Sequence, residues 1–194
     1  MSVSTDLSII ESFKQEAREK GIVRVTMGGV AERCGYARQT IYYHFRGTMD
    51  LIRWILLNEN GDTSYDSLEK NRWKNEMYRL LTTLKSNDWL ITQIYQSKMW
   101  DEFRDLLIAM ISTNVVQQFF LTCSDYGSAK SRENISRIIT FAFAGQAIDW
   151  IRKGFVEPPI EIMRDLDRLC GATMYKLIED FLIFRPREPV AGTN

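Results

Sequence analysis

A short polar cluster near the N-terminus contains the residue types that read DNA. In residues 37–45, ARQTIYYHF, Arg38 and Gln39 come first, and Thr40 and Tyr43 follow. An arginine can donate two hydrogen bonds to a guanine, and a glutamine can pair in a similar way with an adenine. Hydroxyl groups can contact bases or phosphates. These residue types therefore predict a surface that contacts the base edges and phosphates of double-stranded DNA.

Two short helices and a tight turn are predicted to position this cluster. Thr26 is placed to cap a first helix that Gly35 ends, and a second helix runs from Ala37 to Phe45. The gap around Tyr36 is too short for anything but a tight turn, so the two helices meet at a steep angle. This arrangement is typical of a helix-turn-helix, whose second helix enters the major groove and presents its N-terminal residues to the bases.

The polar cluster has a second explanation, because the exposed side of any small helix is polar. The spacing of the polar residues alone does not distinguish a DNA-contacting surface from an ordinary solvent-exposed helix face. The formal net charge of zero also lacks the basic excess that phosphate binding usually requires. However, residues 24–46 contain four arginines and one glutamate, a local excess of three positive charges. The sequence thus predicts a local basic patch within a neutral chain.

The chain is predicted to be helical almost throughout. Apolar residues recur every three or four positions, and all four prolines lie at position 158 or beyond. Besides the two short helices, the predicted helices cover residues 4–20, 48–60, 67–86, 88–98, 100–123, 131–154 and 160–184. The prediction is an all-α fold with three parts. An N-terminal three-helix helix-turn-helix DNA-binding domain spans 1–60, a helical regulatory and dimerisation domain spans 61–185, and a flexible tail spans 186–194.

The string GGVAERCGYARQTIYYHFRGTMDL resembles the DNA-binding segment of the TetR family of transcriptional regulators. The resemblance covers about residues 5–57 and rests on Thr26, Ala31, Gly35, Tyr42, Phe45 and Leu51. It implies a homodimer that reads a near-palindromic DNA operator. The DNA contacts that it implies are made by Thr26, Arg38, Gln39, Thr40, Tyr42, Tyr43, His44 and Thr48.

Four residues of this segment need a separate explanation. Thr48 stands where the family usually has a lysine, and its hydroxyl or the helix N-terminus could hold a phosphate instead. Gly28 and Gly29 lower helix stability, so we expect their helix to be loose before DNA binds. His44 is the single histidine, and it is either a half-exposed packing residue beside Phe45 or a phosphate donor.

The C-terminal part is similar to a subgroup of the same family that includes activators of dihydroxyacetone kinase operons. The features in common are the RQT and YYHF residues, Trp54 in the fourth helix, and the break from Trp150 to Pro158. This resemblance fixes neither the signal nor the direction of control. Repression and activation both stay open, and so do a small-molecule effector and a partner protein.

The last two predicted helices carry apolar and small residues that suit pairing with a second copy of the chain. The family dimerises through these helices, and the corresponding residues here are Ala142, Gly145, Ile162, Leu166, Leu169, Thr173, Leu177 and Phe181. The alternative is that both rows pack only within one chain.

Six aromatic residues of the body could line a ligand cavity, because pockets are mostly apolar with a few polar groups. They are Trp73, Tyr95, Trp100, Phe103, Phe119 and Phe120. Aromatic residues at helical spacing more often form a packed core, and that interpretation is favoured over a cavity.

Other protein classes are disfavoured by what the sequence lacks. With one histidine and no phosphate-binding loop, we predict no catalytic residues, no metal site and no cofactor. Three cysteines without metal-binding spacing, and no apolar run of about 18 residues, favour a cytoplasmic protein with no membrane partner. One alternative stays open, a dimeric helical module for protein–protein contact whose N-terminal helix-turn-helix no longer binds DNA.

Overall fold

The computed structural model describes residues 3–59, 65, 72–122 and 129–170, and these residues form helices and no strand. The all-α prediction is confirmed. The head of the molecule consists of α1 (Val3–Lys20), α2 (Met27–Cys34), α3 (Arg38–His44) and α4 (Thr48–Asn58), with a 3₁₀ turn, Ile22–Arg24, between α1 and α2.

The described part of the body begins at Arg72. Its helices are α5 (Arg72–Ser86), α6 (Asp88–Tyr95), α7 (Trp100–Met110), α8 (Gln117–Thr122), α9 (Ala129–Arg152) and α10 (Pro159–Cys170). The sequence predicted one α-helix over 100–123, but a π-helical segment, Ile111–Val116, separates α7 from α8. Ile111, Val115 and Val116 are all buried there. Val115 and Val116 follow Ile111 by four and five positions, and the step of five suits a π-helix. This spacing is too close to the α-helical spacing of three and four to be recognised in a sequence.

The four head helices pack around a small apolar centre. Phe13 of α1, Val30 of α2, Ile41 of α3 and Leu51 of α4 are each completely buried. Because Ile41 is completely buried in this centre, it holds the inner side of α3 against the rest of the head.

The head is joined to the body by hydrogen bonds as well as by packing. The Ile22 backbone N–H donates to Gln93 Oε1 of α6 over 2.8 Å. At the end of α4, Arg79 Nη1 donates to the Leu56 carbonyl over 2.9 Å, and Asn87 Nδ2 donates to Glu59 Oε2 over 2.8 Å. Both helices α5 and α6 therefore hold the head. The predicted boundary between residues 60 and 61 and the tail from 186 lie outside the described residues.

The break between α9 and α10 is held by a buried tryptophan. Trp150 Nε1 donates to the Glu157 carbonyl over 2.9 Å, and its ring contacts Phe155 edge-on. Gly154 adopts a φ of 75°, which favours glycine because it has no Cβ. These contacts give Trp150 and Gly154 structural roles in the break between the two helices.

Three of the six aromatic residues proposed as cavity lining belong to the packed core. Trp73, Phe103 and Phe119 are essentially fully buried, and Trp73 stacks on Phe143 with ring centroids 5.5 Å apart. Tyr95 and Trp100 are partly exposed and contact each other edge-on. The core interpretation thus applies to Trp73, Phe103 and Phe119, because neighbouring rings fill the space around them. Phe120 is partly buried and borders a surface groove with Leu121 and Arg132 of α8 and α9.

The residues proposed for the dimer interface divide into three groups. Ala142 and Gly145 of α9 are exposed, as that interpretation requires. Leu166 is buried inside its own chain, where α10 packs against α5, and Ile162 packs partly against the same core. The side chain of Leu169 and the residues Thr173, Leu177 and Phe181 lie outside the described residues. Leu166 is therefore a core residue, because its helix turns that face toward α5.

Candidate DNA-binding surface

Helix α3 is anchored on one side and exposed on the other. Ile41 is fully buried and Phe45 is nearly so. The exposed residues are Arg38, Gln39, Tyr42 and Tyr43. Because these residues lie three and four positions apart, they share one face of the helix. The structure therefore brings together four of the side chains that the sequence assigned to DNA.

The two tyrosines are unusually exposed for aromatic residues. Tyr42 is 54% exposed and Tyr43 is 76% exposed. A tyrosine presents an apolar ring and a polar hydroxyl, a combination suited to a surface that becomes covered by a partner. This exposure is what a helix that lies in a groove of DNA requires.

The turn before α3 is built by a cap and a left-handed glycine. The Thr26 hydroxyl oxygen accepts a hydrogen bond from the Gly29 N–H over 3.0 Å at the start of α2. At its end Gly35 has a φ of 71°, and the Tyr36 N–H donates to the Ala31 carbonyl over 3.2 Å. The sequence predicts both the cap and the glycine, and together they set where α3 begins.

Thr48 lies at the first position of α4, beside Arg46 and Gly47. Thr48 is half-buried and Arg46 is exposed, and the Arg46 N–H donates to Asp50 Oδ2 over 3.1 Å. Arg46 was counted in the basic patch but not assigned as a contact. Its position next to the N-terminus of an 11-residue helix makes it a candidate to replace the lysine that the family usually has there.

His44 lies inside the contact between α3 and α1 rather than on the exposed face. Its Nδ1 is 2.6 Å from Asp6 Oδ1, and only 11% of its side chain is exposed. Its ring also contacts Tyr43 and Phe45. This placement matches the packing interpretation of His44, because the imidazole joins the two helices and has little surface left for DNA.

Arg33 is not available for phosphate, although it was counted in the basic patch. Its Nε donates to Glu16 Oε2 over 3.1 Å, and its Nη1 donates to Glu19 Oε1 over 2.9 Å. Lys20 also bonds Glu16, whose side chain is only 3% exposed. The arginine therefore ties α2 to α1, and the basic surface of the head depends on the other arginines.

Glu16 makes the α1–α2 contact sensitive to acid. Hydrogen bonds from Lys20 and Arg33 hold the pKa of Glu16 below its usual value of 4.5, although burial opposes this. A lowered pKa means that ionised Glu16 adds stability above pH 4.5, and that this contribution is lost as the pH falls through the lowered pKa. Acid therefore loosens the support of α2.

Replacing the Glu16 carboxylate with a neutral amide tests this pH dependence. We expect Glu16→Gln to lower the free energy of unfolding at pH 7 by about 1 kcal/mol, because a neutral amide bonds two cations less strongly than a carboxylate. As the pH falls below 4.5 the difference between the wild type and the variant shrinks, since Glu16 itself becomes neutral. Urea titrations from pH 7 to 3 measure this. If the free energies of unfolding of the wild type and the variant differ by the same amount at every pH, ionised Glu16 does not stabilise the fold.

Gly29 is required because the buried carboxylate lies directly against it. A Cβ at this position would lie 2.4 Å from Glu16 Oε1. Lys20 and Arg33 hold that carboxylate, so it cannot move aside without breaking those bonds. We expect Gly29→Ala to destabilise the protein by about 1–3 kcal/mol, although alanine favours helix over glycine. Thermal unfolding tests this, and a raised melting temperature would show that the carboxylate yields freely.

Within the described ranges, no helix has both the length and the apolar character needed to cross a membrane. In the same part of the chain, no group of three or more His, Cys, Asp or Glu residues could hold a metal ion.

Comparison with known families gives two matches along the chain. Residues 9–54 match a family model described as bacterial regulatory proteins, tetR family. Residues 71–171 match a model described as a transcriptional regulator C-terminal region. The first match covers the head with its exposed α3, and the second covers the described part of the body.

Individual relatives point in the same direction. The chain is 25% identical over 99 residues to the HTH-type dhaKLM operon transcriptional activator DhaS of Lactococcus lactis subsp. lactis (strain IL1403), a match covering 51% of this chain. The match spans about half the length, 50%, of that curated relative. A solved structure of the dihydroxyacetone kinase operon activator DhaS superposes with a TM-score of 0.65 at 20% identity, covering 93% of this chain and 99% of that one. At this identity the superposition shows a common fold.

Proposed function

The chain belongs to the TetR family of transcriptional regulators, and from this we propose that it binds a near-palindromic operator as a homodimer. The observation that carries the proposal is the exposed face of α3, whose polar and aromatic side chains have the chemistry of base and phosphate contact. The fixed position of Ile41 in the head centre holds that face outward.

We propose a division of labour among the contact residues. Arg38 and Gln39 read base edges at the start of α3, with Thr40 beside them. The remaining contacts are to the phosphate backbone of the DNA, and they are made by Thr26, Tyr42, Tyr43, Arg46 and Thr48. Thr26 can do this while capping α2, since its oxygen accepts from Gly29 and its hydroxyl proton is still able to donate.

Dimerisation is proposed to use the outward face of α9. Ile138 is 64% exposed and Phe141 is 57% exposed, and both lie on the side of α9 opposite its buried residues. Ala142 and Gly145 continue the same face, and a Cβ built at Gly145 would point into open space, with no atom of the described residues within 4 Å apart from its chain neighbours and the backbone of its own helix. An exposed apolar row beside small residues suits close packing against the same helix of a second copy.

Control through the body is proposed to reach the head along the contacts from α5 and α6. Gln93 bonds the turn before α2, while Arg79 and Asn87 bond the end of α4. An effector or partner protein that binds one arrangement of these helices more tightly would change the spacing of the two heads. Tyr95 at the end of α6 and Trp100 at the start of α7 are partly exposed, and they are the aromatic residues best placed to contact such an effector or partner.

The direction of control is proposed from the relative. DhaS of L. lactis is named as an operon activator, and the solved DhaS structure covers almost all of this chain. We therefore propose that this protein activates transcription in the cytoplasm. Residues 1–60 act as the DNA-binding domain, residues 61–185 as the regulatory domain and residues 186–194 as a tail.

The experiment that tests the proposal is a selection of bound sequences from random duplex DNA at two salt concentrations. Contacts to phosphates weaken steeply with salt, whereas base preference persists, so the two concentrations separate them. A palindromic consensus at both concentrations supports a dimeric regulator. Failure to enrich any sequence at either concentration contradicts the DNA-binding proposal for the protein alone.

A further inference from the structure

Gly28 has no side chain, and the guanidinium of Arg38 packs against the surface of α2 at this position. A Cβ built at Gly28 would be 3.0 Å from Nη2, 3.1 Å from Cζ and 3.2 Å from Nε of Arg38. The three atoms belong to one planar group, and their nearly equal distances mean that the plane lies over the glycine. Any side chain at position 28 would occupy this space and displace the arginine.

Glu32 borders the same space. It lies one helical turn after Gly28, and its Oε1 is 3.7 Å from Arg38 Nη2. This distance is longer than a hydrogen bond, and the two side chains are 70% and 79% exposed, so the attraction is weak and screened by water. Glu32 therefore biases the position of the guanidinium without locking it, and the group can still turn toward a ligand.

We propose that Gly28 and Glu32 are positioning residues that direct Arg38 toward its base and so determine sequence specificity. The inference rests on the proposed DNA-reading function and deepens it. Bidentate contact with a guanine needs both guanidinium donors in one plane and direction. An arginine that already lies over Gly28 loses fewer conformations on binding than one that moves freely in water. This accounts for a glycine in α2 despite its cost to the helix.

The test varies the space at position 28 and measures discrimination. Discrimination is the ratio of the dissociation constants for the selected operator and for an operator altered at the base pair whose preference Arg38→Ala abolishes. We expect a small loss for Gly28→Ala, whose Cβ shifts the arginine by a few tenths of an ångström, and roughly tenfold for Gly28→Gln. Both variants are expected to keep or raise the melting temperature, since alanine and glutamine favour helix. A purely structural role would instead make discrimination follow stability.

Glu32→Gln separates positioning from charge. Removing this carboxylate is expected to raise affinity for non-specific DNA, because one negative charge near the phosphates disappears. Discrimination at the Arg38-dependent base pair is expected to fall at the same time. If affinity rises for all sequences and discrimination is unchanged, Glu32 does not position Arg38.

A double-mutant cycle provides the control. In an Arg38→Ala background, which has no discrimination left at this base pair, Gly28→Gln is expected to leave operator affinity unchanged, since the group that it displaces is absent. An equal loss of operator affinity in both backgrounds overturns the proposal, and so does wild-type discrimination in Gly28→Gln. The proposal also fails if Arg38→Ala alters no base preference.

A measurement without DNA keeps the inference separate from the proposed function. NMR relaxation of the Arg38 Nε–H group in the free protein is expected to show less motion in the wild type than in Gly28→Gln or Glu32→Gln. Equal motion in all three overturns the proposal. A wild-type protein that selects no DNA sequence refutes the proposed function instead, and the relaxation data still decide whether Arg38 is positioned by α2.

Discussion

Replacing Phe141 with glutamate is expected to break the proposed homodimer into monomers and to weaken operator binding about 10²- to 10⁴-fold. When two heads are joined, the second half-site is bound at a high effective concentration, and a monomer loses this advantage. The size of the loss therefore reflects the linkage of two heads and needs no change in either α3.

The choice of Phe141 follows from its place on α9. Its side chain is 57% exposed, and with Ile138 and Gly145 it forms the face that points away from the core. A glutamate there is solvated in the monomer, so the fold is expected to persist. In the dimer the carboxylate would be buried without a partner, and its desolvation disfavours association.

The control for this variant is Ser86→Glu, which adds the same charge at an exposed position at the end of α5. Sedimentation equilibrium gives the oligomeric state, and fluorescence anisotropy with labelled operator gives the affinity. We expect the control to behave as the wild type in both. A Phe141→Glu protein that sediments as a dimer excludes this face as the interface.

The parts of the head that follow local rules could be predicted from sequence. Thr26 as a cap, Gly35 as the left-handed end of α2 and the exposed start of α3 all depend on residues within a few positions of each other. Local backbone preferences decide such features, and the sequence contains those preferences directly. The family resemblance is confirmed by the two family matches.

The partners of charged residues could not be predicted, because they come from distant parts of the chain. Arg33 bonds Glu16, 17 positions away, and His44 lies beside Asp6, 38 positions away. A charge count treats every arginine as available, whereas the fold neutralises one of them. The same contacts explain Gly29, whose position against Glu16 no local rule could reveal.

The interior of the body shows a limit of helical periodicity. A row of apolar residues faces either its own core, a cavity or a second copy, and its spacing is the same in each case. The structure distinguishes them by what fills the space, as Phe143 does for Trp73 and α5 does for Leu166. The exposed row of Ile138 and Phe141 on α9 has no such filling among the described residues, which makes it the candidate for pairing with a second copy.

Arg38→Ala is the second prediction with a large effect. If Arg38 forks onto a guanine, its loss is expected to cost about 1–3 kcal/mol at each half-site. A symmetric operator holds two such contacts, so the loss doubles for the dimer. Arg38 is 70% exposed, and its ion pair with Glu32 is weak, so the fold is expected to be unaffected.

The matched variant Arg38→Lys distinguishes the two kinds of contact that an arginine can make. Lysine keeps the positive charge but lacks the planar pair of donors, so it preserves attraction to a phosphate and loses bidentate pairing with a guanine. If Arg38 reads a base, both variants lose discrimination at one base pair, and Arg38→Lys keeps the salt dependence of the wild type. If Arg38 contacts a phosphate, Arg38→Ala weakens binding to all sequences, and the slope of the logarithm of the binding constant against the logarithm of the salt concentration falls by about one. Arg38→Lys then restores the affinity. The comparison thus assigns Arg38 to bases or to the backbone, and the second outcome would transfer sequence reading to Gln39 and the tyrosines of α3.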